Sequence, residues 1–357
     1  MTATIFSVLC VVLIASAMRP SLAQTNSPAQ FTTISTFVVD RTKLDEIKRR
    51  AQAGESRSQY LLGVIYRQGT RLLAKSDTEA LKWFRRAAGQ NSTEAEVALG
   101  IAYASGAGVS RDYVETARWY TKAARAGDST GEYNLGVLYI MGQGVSQNDS
   151  QAFEWFAKAA ASGLAEAECM LGVMYNMGRG IKRNRNKAVE FQRAAAQQGL
   201  AKAESELGIM YFRGEGVHKN FAEAFRWSLA GAKQGDGPAE NNVGYMYKSG
   251  TGVKTDYKEA VRWFKSAAEQ GEPAAQANLG DMYATGSGVP LDYVEAYKWL
   301  SLAAAQNVKD ATKVQQRIAG VMTERQVSTA QERASLWMQQ HPAASSQEQY
   351  TYYEAKR

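Results

Sequence analysis

The chain has 357 residues, of which 45% are hydrophobic and 10% aromatic, and this composition excludes a wholly disordered protein. Its net charge of +7 and pI near 9.2 would suit an anionic partner, yet charged residues make up only 22% of the chain and carry both signs, as on an ordinary soluble surface. The length allows two or three globular domains, or one long array of repeats.

Residues 1–23 are predicted to be a secretory signal peptide. Residues 5–18 form an uncharged apolar run that suits a signal peptide and is short for a membrane span. Small residues suited to cleavage follow up to Ala23, with Ala17 as an alternative, and an uncleaved anchor is the other interpretation. Residues 24–43 are polar and turn-rich, and we expect a flexible leader there.

Cys169 would be the single cysteine left after cleavage, so the fold is expected to lack disulfides. It precedes Met170 on a predicted helix, where we expect it to be a small buried hydrophobe. Export without disulfides is typical of a bacterial periplasmic or secreted protein. No later segment is long and apolar enough to cross a bilayer, so the mature chain is predicted to have no transmembrane span.

Residues 44–307 repeat a unit of 36 residues, in which one landmark lies on each of two predicted helices. The first helix carries a glycine and the second a large aromatic residue, at Gly63, Gly100, Gly136, Gly172, Gly208, Gly244 and Gly280, and at Trp83, Trp119, Trp155, Phe191, Trp227, Trp263 and Trp299. Every interval is 36 residues except the first glycine interval of 37, which places the extra residue in the loop around 70–76. Because the glycine and the aromatic residue recur at the same 36-residue spacing, the sequence predicts stacked helix pairs.

Other recurring residues predict how each helix begins and ends. A Gly-x-Gly pair ends the first helix, and the first repeat, which has only Gly69, is expected to turn differently. An Asp or Asn, or Ser76 in the first repeat, then opens the second helix with Glu or Gln three residues later. This predicts a reciprocal capping box in every repeat except the fourth, where Lys187 stands. The large aromatic residue is expected to add several kcal/mol of stability where it is buried.

Both ends of the array are predicted to be closed by atypical helices. Residues 44–54 match the second half of a repeat, as an N-terminal cap should. Residues 308–341 are predicted to form two closing helices, the second capped by Thr323 with Gln326. The side chains expected to cover the last repeat are Ile318, Val321, Val327, Leu336 and Trp337. Residues 342–357 form a polar tail.

The repeat unit resembles the Sel-one-like repeat (SLR), a relative of the tetratricopeptide repeat. The resemblance is carried by the pattern Leu-Gly-x-x-Tyr-x-x-Gly-x-Gly-Val, followed by Asp or Asn and then by Trp-x-x-x-Ala-Ala. Residues 279–289 match it almost letter for letter. The resemblance implies an all-α fold, a right-handed α-solenoid of stacked antiparallel helix pairs with a concave binding face. It also implies an adaptor, envelope regulator or assembly scaffold that binds a protein or peptide.

No catalytic or metal-binding pattern accompanies the repeats. His218 and His341 belong to no motif, and neither a Ser-x-x-Lys nor a Gly-x-Ser-x-Gly sequence occurs. We therefore expect a non-enzymatic protein without a cofactor or metal. Some cysteine-rich bacterial members of the family have been linked to β-lactams, but this chain lacks their paired cysteines. A cell-wall or β-lactam-active enzyme remains the alternative from another functional class.

Two ladders on the first helices are candidates for binding the partner. Glutamates lie four residues before the repeat glycine, where they either complement the helix dipole or form a concave acidic stripe for a basic peptide. Asparagines lie two residues before that glycine, and in related tetratricopeptide arrays such side chains hold a ligand. The candidates are Glu132, Glu168, Glu204 and Glu240, and Asn134, Asn242 and Asn278.

A basic turn in the fourth repeat is the third candidate. Arg179, Lys182, Arg183, Arg185 and Lys187 fall within nine residues, a density that suits an anionic polysaccharide, a lipid headgroup or an acidic protein. A solvated turn is the simpler interpretation. Nucleic acid is not expected as a partner, because the signal peptide would direct the protein away from it.

Overall fold

The computed structural model describes residues 40–341, apart from the side chain of Lys309. Within this range the chain forms 17 α-helices and no strand, so the predicted all-α fold of stacked helix pairs is confirmed. The predicted signal peptide, the leader up to residue 39 and the tail after residue 341 lie outside the described residues. The chain divides into two compact units at Arg183 and Asn184.

The N-terminal unit, residues 40–183, contains a capping helix and the helices of the first three repeats, together with the first helix of the fourth. Their bounds are α1 Arg41–Gln52, α2 Ser56–Gln68, α3 Asp77–Ala88, α4 Thr93–Ser105, α5 Tyr113–Arg125, α6 Ser129–Met141, α7 Asp149–Ala161 and α8 Ala165–Met177. Each helix packs against the next one in the chain, which is the arrangement that short connections favour.

The C-terminal unit, residues 184–341, begins with the second helix of the fourth repeat. Its helices are α9 Arg185–Gln197, α10 Ala201–Arg213, α11 Phe221–Lys233, α12 Gly237–Ser249, α13 Tyr257–Glu269, α14 Pro273–Thr285, α15 Tyr293–Ala305, α16 Lys309–Ala319 and α17 Glu324–Gln340. The same sequential packing holds from α9 to α16, and α17 packs against α15.

The turn between the two helices of a repeat is closed by the tyrosine that follows the repeat glycine. Asp112, which opens α5, donates its backbone N–H to the carbonyl of Tyr103 at 3.0 Å, and its carboxylate accepts from the amides of Val114 and Glu115. The predicted reciprocal capping box is therefore wrong here, because the amide that Glu115 would bind is already bonded. Glu115 pairs instead with Arg118 at 3.1 Å.

The same arrangement recurs along both units. Five further N-cap amides bond to tyrosine carbonyls, at Ser76–Tyr66, Asn148–Tyr139, Asn220–Tyr211, Asp256–Tyr247 and Asp292–Tyr283. The reciprocal box is formed at α17, where the Gln326 side chain accepts from the Thr323 amide as predicted. The tyrosine three residues after the repeat glycine thus closes the turn with its backbone carbonyl.

The second glycine of each Gly-x-Gly pair lies against the repeat before it. Gly108 has φ +74°, and a Cβ there would come within 2.6 Å of the backbone carbonyl of Asp77, at the start of α3. The pair therefore ends one helix and also lets the turn approach the preceding repeat. Gly69 in the first repeat has φ 73° and ψ 158° instead of a left-handed helical cap, which confirms the predicted difference in that turn.

In four of the seven repeats the centre of the core is an aromatic residue directly after the conspicuous tryptophan. Phe156 is 0% exposed and lies over Gly136, where a Cβ would come within 2.8 Å of its ring. Phe84, Tyr120 and Phe264 occupy the same position in their repeats and are equally buried. Most tryptophans are half-buried, with a cation over the ring, such as Lys158 Nζ 4.0 Å from the centroid of Trp155.

The closing helices cover the ends with fewer side chains than predicted. Leu44 and Ile47 of α1 pack with Leu62 of the first repeat. At the other end, Trp337 of α17 meets Trp299 edge to face, with 6.1 Å between the ring centroids. Ile318 is buried too, but the prediction was wrong for two residues of the cover: Val321 is 66% exposed and Leu336 53%.

Candidate functional site

The predicted glutamate ladder connects the two helices of a repeat. Glu204 accepts a hydrogen bond from Gln234 Nε2 at 2.8 Å, and Glu240 accepts from Gln270 Nε2 and Ser266 Oγ, both at 2.8 Å. Each donor lies at or near the end of the second helix of the same repeat. Both glutamates are buried, and desolvation raises the pKa of each carboxyl.

Glutamine makes the same contact in the end repeats, so the contact does not require charge. Gln90 Nε2 donates to Gln59 at 2.8 Å, and Gln306 Nε2 donates to Gln276 at 3.0 Å. The ladder position is therefore part of the internal hydrogen bonding of the repeat, and binding of a partner by it stays a prediction.

In the N-terminal unit the ladder carboxylates meet lysines. Buried Glu96 pairs with Lys122 Nζ at 2.8 Å. Glu132 is also buried, with Oε2 unbonded, and desolvation raises its pKa while the Lys158 ammonium acts in the opposite direction. Glu168 is half-buried and makes contacts within the protein.

The three candidate asparagines differ in their surroundings. Asn134 is buried on α6. Asn278 on α14 donates its Nδ2 to the side-chain oxygen of Asn241 on α12 at 3.0 Å. Asn242 on α12 is 4% exposed, and neither its amide nitrogen nor its amide oxygen has a hydrogen-bond partner. Of the three, Asn242 has unsatisfied hydrogen-bonding groups that a ligand could use.

The basic turn is divided between the two units. In the N-terminal unit, Arg179 pairs with Asp149 at 2.7 Å, and Arg183 Nε donates to the Asn176 carbonyl at 2.7 Å. In the C-terminal unit, Arg185 lies 3.8 Å from Glu215 and is 45% exposed. Arg183 and Arg185 are exposed residues, as a solvated turn or a site for an anion would both require.

The sequence interpretation missed an acidic cluster on the C-terminal unit. Glu206, Asp236 and Glu272 lie at or beside the first helices of the last three repeats, and desolvation raises the pKa of all three carboxyls. The pKa of Glu206 and that of Glu272 each rise to about 7, and the charge of Asp236 contributes to both shifts. The one signal in the sequence was Glu206 itself, a charged residue at the asparagine position.

Cys169 and His341 pack inside the protein, whereas His218 is exposed. Cys169 is buried, as predicted, and His341 stacks on Trp337 with 4.3 Å between ring centroids. Among residues 40–341, no three His, Cys, Asp or Glu side chains are grouped so as to hold a metal ion. No helix in this part of the chain is long and apolar enough to cross a membrane.

The geometry of seven helix pairs agrees with a comparison against protein families. The Sel1 repeat model matches seven consecutive segments, residues 56–92, 93–128, 129–164, 165–200, 201–236, 237–272 and 273–308. The chain belongs to the Sel1 repeat family. Comparison with curated proteins gives no significant match.

Three solved structures are similar to the chain over more than half of its length. A Sel1 repeat protein from Oxalobacter formigenes is 33% identical with a TM-score of 0.62, and the match covers 84% of this chain and 89% of that one. A protective antigen of uropathogenic Escherichia coli with an SLR fold is 27% identical, with a TM-score of 0.43 and coverage of 94% and 89%. An immunity protein from Pseudomonas aeruginosa is 22% identical, with a TM-score of 0.41 and coverage of 58% and 81%.

Proposed function

We propose that this Sel1 repeat protein is an exported, non-enzymatic scaffold that binds a protein or peptide partner along the first helices of its repeats. In that role it acts as an adaptor, an envelope regulator or an assembly factor. The apolar run at residues 5–18 supports export to the periplasm or beyond. Membership of a repeat family supports binding as the role, since stacked repeats present extended surfaces.

The unbonded amide of Asn242 is the observation that carries the peptide-binding proposal. A buried amide without partners costs about 1–3 kcal/mol, and a polypeptide backbone offers both the acceptor and the donor that it lacks. The repeated glycines, tyrosines and caps are engaged in packing and turns, so they are not available for this role. The asparagine position varies along the array, with Met170, Glu206 and Asn242 in successive repeats.

Selection of displayed random peptides on the immobilised full chain tests the binding proposal. We expect an enriched set of peptides that also binds in solution by isothermal titration. Asn242→Leu should weaken binding at least tenfold, whereas Asn186→Leu, the same change at an exposed site on α9, should leave it unchanged. Failure to select any peptide, or equal affinities for the two variants, would contradict the proposal.

Two further measurements address export and catalysis. Residues 1–23 fused to a reporter enzyme that is active only outside the cytoplasm should give activity in bacterial cells, and an inactive fusion would count against export. Turnover of a chromogenic β-lactam or of a peptidoglycan fragment by the purified chain would overturn the non-enzymatic assignment.

A further inference from the structure

The first helices of repeats five to seven gather an acidic cluster on a basic protein. Glu206 lies on α10, and Asp236 and Glu272 are the N-cap residues of α12 and α14. Ile209, one helical turn after Glu206, packs against Ala274, which lies two residues after Glu272. This contact brings the surroundings of the two glutamates together, and Asp236 acts electrostatically on both.

The charges around the cluster are mostly negative. Glu204 and Glu240 also feel the charge of Asp236, so five carboxyl groups share this region. The cations that act on Glu206 are Lys202 and Arg213 of its own helix, and Glu215 in the following turn adds to the repulsion. This group of carboxyls lies on a chain whose net charge is +7.

Unsatisfied polar groups lie beside these carboxyls. Asn278 of α14 bonds to Asn241 of α12, and the 36-residue repeat places Asn242 against Ser205 of α10 in the same relation. Here both amide atoms of Asn242 are buried without partners. Ser205 interacts instead with Asp236, and this hydrogen bond lowers the pKa of that carboxyl, so Ser205 joins Asn242 to the acidic cluster.

The chemistry of the cluster selects a cationic organic group. The carboxyls are not grouped closely enough to hold a metal ion, but an ammonium or guanidinium group is larger and can span them. Lysine and arginine donate several hydrogen bonds to carboxylates and amide oxygens, and the Asn242 Nδ2 can donate to a backbone carbonyl. Asn242 has no internal hydrogen bond to break when it turns to such a ligand.

We propose that the first helices of repeats five to seven bind a lysine or arginine side chain of the partner, with Glu206 and Glu272 facing the cation and Asn242 bonding the adjacent backbone. This inference rests on the proposed function and specifies the chemical class of the peptide. The chain has a net charge of +7, so the local negative charge of this cluster would determine where a basic segment docks.

Peptides selected on the full chain provide the first test. We expect enrichment of lysine or arginine at one position, and replacement of that residue by norleucine or glutamine should weaken binding at least tenfold. Selected peptides without such a residue would overturn this inference and leave the proposed function intact. If no peptide is selected at all, both fail.

Matched variants provide the second test, by fluorescence anisotropy with the labelled selected peptide. Glu206→Gln should weaken binding at least tenfold, whereas Glu269→Gln, the same charge change at an exposed site on α13, should leave it within twofold. Affinity of the native chain should rise with pH through about 7, as Glu206 and Glu272 ionise, and Glu206→Gln should reduce that rise. Equal affinities for the two variants, or an affinity independent of pH between 5.5 and 8.5, would overturn the proposal.

Discussion

Truncation of two neighbouring aromatic residues on α13 tests the assignment of the repeat core. Phe264 is 0% exposed, and at Gly244 beneath it a Cβ would come within 2.7 Å of the ring. Trp263 is half-buried, with the Arg262 guanidinium 5.5 Å from its ring centroid. We therefore expect the smaller side chain to contribute more to stability than the larger one.

The expected magnitudes follow from burial. Phe264→Ala should lower the free energy of unfolding by about 3–5 kcal/mol, because it leaves a cavity in the repeat core. Trp263→Ala removes a ring that is only partly shielded from water, together with a cation–π contact at a wet site, and should cost about 1–2 kcal/mol. The two changes lie on one helix, so the same part of the array is weakened in both variants.

Urea unfolding of the full chain, followed by far-ultraviolet circular dichroism, measures this difference. Phe264→Ala should show the larger drop in midpoint, and the slope of the transition should be compared, because repeat arrays can unfold in more than one step. A Trp263→Ala midpoint as low as that of Phe264→Ala would refute the assignment of the core to the residue after the tryptophan.

Three further predictions concern the turns, the caps and the acidic cluster. Gly108→Ala should destabilise the chain by about 1–3 kcal/mol more than Gly127→Ala in thermal unfolding, since both glycines have positive φ but a Cβ has open space at Gly127 alone. Asp112→Ala should cost about 1 kcal/mol in urea unfolding through loss of its cap, and a neutral result would contradict the cap geometry. Burial raises the folded-state pKa of Glu206 to about 7, so the native chain should lose stability as the pH rises from about 4.5 to 7. Glu206→Gln should lose less stability over the same window, as measured by melting temperature.

The sequence determined the architecture because packing demands the same residues in every repeat. Glycine and capping residues spaced 36 apart predicted seven helix pairs, and the turn at Gly69 was predicted to differ from the others. The closing Thr323 cap was also predictable, since its box is local to one helix end. Each of these features depends on residues close together in the chain.

The tertiary structure decided how these side chains are used. The glutamates of the second helices were predicted to bond the N-cap amides, but they pair with cations instead. The N-cap amides already donate to the tyrosine carbonyls of the preceding helices. Trp155 is prominent in the sequence, but Phe156 fills the core, since burial depends on which face of α7 meets α6.

The contacts of the candidate site, too, could not be predicted from the sequence. The spacing of Glu204 and Glu240 was visible in the sequence, but their hydrogen bonds to Gln234 and Gln270 became evident only when the second helices were folded back. The acidic cluster joins residues up to 66 positions apart, Glu206 and Glu272, through the contact of α10 with α14. A repeating sequence fixes the position of each helix in its repeat, but desolvation and charge at a site depend on neighbours one or two repeats away.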